Sequence, residues 1–138
     1  MILGIGTDLC DIRRIDRTIE KFGERFIARV FTNGERAYCD PKSARSSAYA
    51  KRFAAKEAVA KAISGKNTGH LRWRDVEVLN DPSGRPIITL HAQAQSRLKS
   101  LVPIGMSGHV HISLTDDYPY AQAFAICEAR PNELQESI

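Results

Sequence analysis

Long apolar runs are missing from this sequence, as are closely spaced cysteines, linkers rich in proline or glycine, internal repeats and an excess of acid. No stretch approaches the ~20 apolar residues that a membrane-spanning helix requires, so no membrane partner is expected. Cys10, Cys39 and Cys127 are odd in number and far apart. That excludes a disulfide framework and a zinc site built from Cys pairs, and reduced, buried thiols are expected. Without linkers or repeats, the 138 residues are expected to form one compact domain, 1–138, with 130–138 as a frayed polar tail. The opening Met-Ile-Leu-Gly-Ile-Gly-Thr-Asp lacks the basic and long apolar regions of a secretory leader, so the expected location is cytoplasmic. Acid is the scarcer charge: 16 Asp and Glu against 20 Lys and Arg give a net charge of +4. Such a balance attracts an acidic partner, whether nucleic acid, a phosphorylated small molecule or an acidic protein.

The most informative stretch is Tyr49 to Ile63, rich in alanine and long straight side chains, uninterrupted by Gly or Pro, with Gly65 just past its end. It reads as a helix. Ala55, Ala58, Val59 and Ala62 form its apolar stripe, with Ile63 at the edge, whereas Glu57 and Lys61 lie together on nearly the opposite side. A solvated ion pair of this spacing is common and worth only ~0.3–0.5 kcal/mol. Phe53 and Ala60, however, give the face around the pair a partly apolar setting. A carboxylate beside an ammonium in such a setting suits a metal ion and a phosphate, and a second anionic ligand must come from elsewhere in the chain.

Ile2 to Leu9 reads as a strand, with Leu3, Ile5, Thr7 and Leu9 on one face and Gly4, Gly6 and Asp8 on the other. Glycines within a strand mark the close approach of a ligand or another backbone, and they leave space beside Asp8. Asp11 is placed to cap a following helix whose apolar stripe is Ile12, Ile15, Ile19 and Phe22. The opposite face of that helix carries Arg14, Arg17, Lys21 and Arg25, flanked by Asp16 and Glu20. Gly23 permits a break before a second short helix around Phe26 to Phe31. Asn33-Gly34 and Asp40-Pro41 are turn signals, and Lys42 to Ser47 reads as a loop. Val76 to Leu79 and Pro86 to Leu90 form a hairpin across Asp81-Pro82-Ser83-Gly84. Ala92 to Leu101 is a helix stopped by Pro103. A second hairpin joins the strand around Val110, Ile112 and Leu114 to Ala121–Cys127, turning over Asp116 to Pro119. His109 and His111 share one strand face without a third ligand of matching type nearby.

Gly-Ile-Gly-Thr-Asp-Leu around Asp8, together with Arg-Phe-Ala-Ala-Lys-Glu-Ala-Val-Ala-Lys from Arg52 to Lys61, resembles the holo-acyl-carrier-protein synthases, the small 4'-phosphopantetheinyl transferases. The resemblance implies an α+β fold: a single compact domain with a mostly antiparallel sheet packed against a long central helix. It also implies transfer of 4'-phosphopantetheine from coenzyme A to a serine of apo acyl carrier protein, supporting fatty acid biosynthesis and releasing adenosine 3',5'-bisphosphate. Magnesium would be the cofactor, with Asp8 and Glu57 as ligands. Glu57 would also orient or deprotonate the serine, and Lys61 would contact the phosphates. A homotrimer with active sites between subunits is the implied assembly. The chain departs from the family at Asp116, where small members commonly have a histidine. Either another base, such as Arg45 or Lys66, would supply the coenzyme A phosphate contact instead, or Asp116 points away. The usual Gly-Thr-Gly after the central helix is expanded to Gly65-Lys66-Asn67-Thr68-Gly69. The basic face of Arg14, Arg17, Lys21 and Arg25 is expected to dock the acidic carrier. Two other classes remain open from the residues alone: a basic nucleic-acid-binding domain, and a magnesium-dependent phosphohydrolase using the same acids with water as nucleophile. Against the former, no strand carries the interleaved aromatics of single-strand binders and no major-groove motif is present, so no nucleic acid partner is expected.

Overall fold

A computed structural model describes residues 1–65 and 70–133 of the chain. Strand β1 (Ile2–Asp11) leads into helices α1 (Ile12–Phe22), α2 (Glu24–Val30), α3 (Asn33–Cys39) and the long α4 (Arg45–Ala62). A 3-10 turn (Trp73–Asp75) precedes the hairpin β2 (Val76–Asn80) and β3 (Pro86–Leu90), then α5 (Ala92–Leu101) and a second hairpin, β4 (Met106–Asp117) and β5 (Tyr120–Pro131). β1, β5 and β4 form an antiparallel sheet in the order β1-β5-β4, and β2 and β3 pair separately. The expected α+β architecture, an antiparallel sheet against one long helix, is what the chain adopts.

The inner face of the sheet is lined with small residues. Ala121, Ala123, Ala125, Cys127 and Ala129 of β5 are all buried, and α4 lies across β1 and β5. Side chains this short let the helix axis come close to the sheet, and they leave the larger apolar groups, Ile15, Ile27, Phe31 and Tyr49, to fill the layer formed by α1, α2 and α3. α4 is therefore buried on more than its apolar stripe: Ala48, Tyr49, Ala50, Arg52, Ala54 and Lys56 are covered as well. It begins at Arg45, four residues earlier than Tyr49, so part of the expected Lys42–Ser47 loop is helical.

Asp11 caps α1, accepting from the Arg13 backbone N–H at 2.9 Å. Gly23, at φ 54°, separates α1 from α2. Three expectations are corrected. Phe22 is exposed rather than part of the buried stripe, because the break at Gly23 ends the helix there. Asn33-Gly34 opens a helix, α3, instead of a turn: Thr32 and Glu35 make a reciprocal capping box that supplies the partners of the first free amides. Arg130 and Pro131, assigned to a frayed tail, belong to β5, and the Asn132 N–H donates to the Gly105 carbonyl at 2.9 Å. Residues 134–138 lie outside the described residues.

Candidate active site

The site is made by a clamp between β1 and α4. A Cβ at Gly4 would stand 2.0 Å from the Ala62 carbonyl oxygen, and one at Gly6 would stand 2.0 Å from that of Ala58, so only glycine allows this approach. The space expected beside Asp8 is filled by the α4 backbone. The same contact carries Asp8, two residues beyond Gly6 on the same strand face, to the turn of α4 that bears Glu57 and Lys61. The Lys61 ammonium donates to the Thr7 carbonyl at 2.8 Å and lies 3.4 Å from Asp8 Oδ1. The Asp8 side chain retains 20% exposure, so it is within reach of solvent.

Glu57 has its carboxyl pushed above the usual glutamate range, first by burial and then by the negative charge of Asp8, while Lys61 and Arg14 pull it the other way. The charge of Asp8, on a different element, thus lies close enough to oppose the ionisation of Glu57, which a divalent cation would relieve. Among the described residues no group of three or more His, Cys, Asp or Glu converges. A cation held by Asp8 and Glu57 would take its remaining ligands from water and substrate, the habit of magnesium. The donor set fits that ion.

Behind this open site is a closed one. Lys56, the residue before Glu57, is 1% exposed at its side chain and lies 2.7 Å from Glu35, itself fully buried. Lys56 also donates to the carbonyls of Trp73 (3.0 Å) and Val76 (2.5 Å). Glu35 accepts from the backbone N–H groups of Thr32 and Val78. Phe53 and Trp73 stack with ring centroids 4.9 Å apart, and a small hollow of about 170 Å³ opens between Glu57 and the 70–73 segment. Sequence reasoning missed the buried charges. The available signal was alanine around every side of the helix, which implies burial all round.

Of the other sequence-named residues, Arg14 reaches the electrostatic neighbourhood of Glu57, while Arg17 and Lys21 are exposed on α1 and Arg25 lies on α2, past the Gly23 break. Arg45 is not brought to the site. It begins α4, about 24 Å of helical rise from Lys61, and its Nε donates to Asp40 at 3.1 Å. Lys66 and the rest of 66–69 lie outside the described residues. Asp116 turns onto α4, accepting from the Ser47 hydroxyl at 2.7 Å and lying 3.8 Å from the Lys51 ammonium. His111 pairs with Glu128 at 2.9 Å on the outer face of the sheet. A basic hollow of about 400 Å³ that includes Lys51, Arg52 and Arg85 was not foreseen. Arg52 is buried, and its Nε has no hydrogen-bond partner among the described residues.

The family model of the 4'-phosphopantetheinyl transferase superfamily matches residues 4–123. The chain belongs to this superfamily. It is 57% identical over 131 residues to a holo-acyl-carrier-protein synthase of Methylobacterium radiotolerans, covering 95% of this chain and 96% of that one. It is 56% identical over 133 residues to a protein of the same name from Paramagnetospirillum magneticum, covering 95% of this chain and 99% of its relative. Among solved structures, the Neisseria meningitidis holo-acyl-carrier-protein synthase superposes with a TM-score of 0.79 at 34% identity, covering 93% of this chain and 99% of that one. The Helicobacter pylori enzyme in complex with coenzyme A gives 0.74 at 27% identity, covering 90% and 99%. As a superfamily member the chain is a transferase, and Asp8, Glu57 and Lys61 all fall within the matched span.

Proposed function

We propose that the protein is a holo-acyl-carrier-protein synthase, which transfers 4'-phosphopantetheine from coenzyme A to a serine hydroxyl of apo acyl carrier protein. The observation that carries this reading is the glycine-clamped meeting of Asp8 with Glu57 and Lys61 in a chain of this superfamily. Magnesium, held by Asp8 and Glu57, would polarise the pyrophosphate and offset charge on the leaving group. Glu57, with its affinity for a proton raised by burial and by Asp8, is suited to accept the serine proton. The serine oxygen then bonds to the phosphorus that bears pantetheine, the bond from that phosphorus to the bridging oxygen breaks, and adenosine 3',5'-bisphosphate leaves. Lys61, anchored at the Thr7 carbonyl, adds a positive charge at the transferring phosphate.

The substrate's remaining anionic groups find support in the hollow of Lys51, Arg52 and Arg85, where the buried Arg52 guanidinium keeps an N–H without a partner among the described residues. That hollow lies at the β4 edge of the sheet and Asp8 at the β1 edge. One coenzyme A engaging both is best served by two copies of the chain, which supports a homotrimer with sites between subunits. The outer face of the sheet supports it further: Ile5 and Leu9 are each 61% exposed, and Tyr120 and Phe124 are exposed beside them. A cytoplasmic location belongs to the same reading, supported by three free, buried thiols.

The test is to incubate the protein with magnesium, coenzyme A and a purified apo acyl carrier protein and to weigh the carrier by mass spectrometry. A phosphopantetheine adduct on the carrier is expected. Release of free phosphopantetheine without an adduct would establish hydrolysis instead.

A further inference from the structure

Beside Trp73, the chain's single tryptophan, a groove of about 440 Å³ runs between Arg29 of α2 and the segment that carries His70, Arg72 and Arg74. Its wall from His70 to Trp73 is also a wall of the small hollow that opens on Glu57. All three arginines are exposed, and none makes an ion pair with an acid among the described residues. Asp75, the one carboxylate among the described residues that line the groove, is buried and accepts from the Arg72 backbone N–H at 3.2 Å. Arg74 is near enough to oppose the charge on Lys56, and Arg29 shares an exposed face of α2 with Arg25, one turn earlier.

The placement of this patch relative to Glu57 follows from helix geometry. On α4, Lys61 lies about 40° to one side of Glu57, with Asp8 and Arg14, whereas Ala60 and Lys56 lie about 60° and 100° to the other. The hollow shared with the arginine groove is lined by Lys56 and Ala60 and is therefore on that second side. Glu57 stands between two basic walls: Arg14 and its neighbours on α1, and Arg72 and Arg74 across from them.

We propose that Arg72 and Arg74, with Arg29 across the groove, form a second docking wall for the acidic apo carrier protein. This deepens the transferase reading and rests on it. A carrier whose serine must reach Glu57 presents its surroundings to both flanks of that residue, and a wall of one sign on each flank fixes its orientation as well as its approach. Arginine suits the task, since its planar fork grips carboxylates in pairs. Coenzyme A is a poorer occupant, because among the described residues the groove offers no buried, unpartnered donor like Arg52 Nε.

The experiment compares the parent with the double charge reversal Arg72→Glu/Arg74→Glu, using a purified, tryptophan-free apo acyl carrier protein. Direct binding without coenzyme A is read from the fluorescence of Trp73, and transfer kinetics are measured separately. The variant is expected to bind the carrier at least tenfold more weakly, to raise the KM for the carrier by a similar factor and to keep the KM for coenzyme A within twofold. Replacing both arginines by alanine is expected to flatten the salt dependence of carrier binding relative to the parent. Carrier binding within twofold of the parent, in a variant with an unchanged thermal midpoint, would overturn the inference. So would a rise confined to the KM for coenzyme A, or an effect seen only on nucleic-acid retention. A parent that binds the carrier but never modifies it would count against the transferase reading alone and leave the docking wall standing.

Discussion

Lys56 and Glu57 are adjacent on one helix and meet opposite fates. Lys56 is sealed between Glu35 and two backbone carbonyls, with its charge paired and its protons accepted. Glu57, one residue on, is half-buried against another carboxylate and holds its charge reluctantly. A buried pair that is fully hydrogen-bonded is a piece of framework, costly to break and without spare bonding capacity for a ligand. A carboxylate that the fold leaves under-compensated is the opposite: a standing demand for a cation or a proton. Burial depth alone does not separate structural charge from reactive charge. The completeness of its partners does.

The largest effects expected on activity are at the reluctant pair. Asp8→Ala and Glu57→Ala should each lower transfer by at least ~10²-fold, the scale of removing one electrostatic group from a reacting centre. Neither should lower the thermal midpoint, because each relieves a repulsion between carboxylates. Activity assays alongside thermal unfolding check both halves, and near-parental turnover in either variant would remove the site.

At the framework pair the pattern should invert. Lys56→Met leaves Glu35 buried without its cation and two carbonyls without a donor, a loss of about 3–5 kcal/mol in denaturant unfolding. Glu35→Leu combined with Lys56→Met should recover much of that loss, since no orphaned charge then remains. If the double variant is no more stable than the single one, the pair contributes through something other than charge compensation.

Much of this division was legible in the sequence and some was not. Asp8 and Glu57 could be named because glycines at positions 4 and 6 and an off-stripe acid are departures from what packing requires. The hairpins and α5 could be placed because turn residues punctuate them. Arg52 and Lys56 could not be seen as buried, because charge normally argues for solvent and only the wrapping of α4 by α3 and β2 on its second side covers them. α3 was missed because Asn33-Gly34 reads as a turn until Thr32 and Glu35 are recognised as a capping box. That Ile5 and Leu9 of β1 point outward could not be read locally, nor that Leu3, assigned to the same face, packs against the core at a register shift between Ile2 and Gly4. A strand pattern leaves open which face meets the helix and where a bulge breaks it.

A smaller effect is expected from pH. The folded state raises the proton affinity of Glu57 above its unfolded value, so folded chains bind more protons than unfolded ones in that window. Stability contributed by this group therefore rises as pH falls through the raised pKa and declines as pH increases. Glu57→Gln should flatten that dependence just above the ordinary glutamate range. Protons and magnesium compete for the same carboxylate, so the acid limb of the rate profile should move to lower pH as magnesium is increased. Rate profiles at two magnesium concentrations test it, and coincident acid limbs would separate Glu57 from the metal.

The smallest effect is expected at Asp116, which packs against the first turns of α4 and touches neither region. Its carboxylate accepts from Ser47 and faces Lys51, one of the cations of the basic hollow. Both members of the Lys51 pair are partly exposed and 3.8 Å apart, so the pair is worth at most ~1 kcal/mol. Asp116→His removes a negative charge beside Lys51 and frees Lys51 for an anionic ligand. It also surrenders an acceptor for Ser47, a bond worth ~1 kcal/mol on a surface where water can replace it. The two changes oppose each other, one strengthening attraction for phosphate and the other loosening the helix start. Transfer should accordingly stay within a few-fold of the parent, with the KM for coenzyme A equal or modestly lower. Steady-state kinetics with both substrates varied will read the balance, and a large loss of activity in a folded Asp116→His variant would show that the carboxylate itself is needed where it stands.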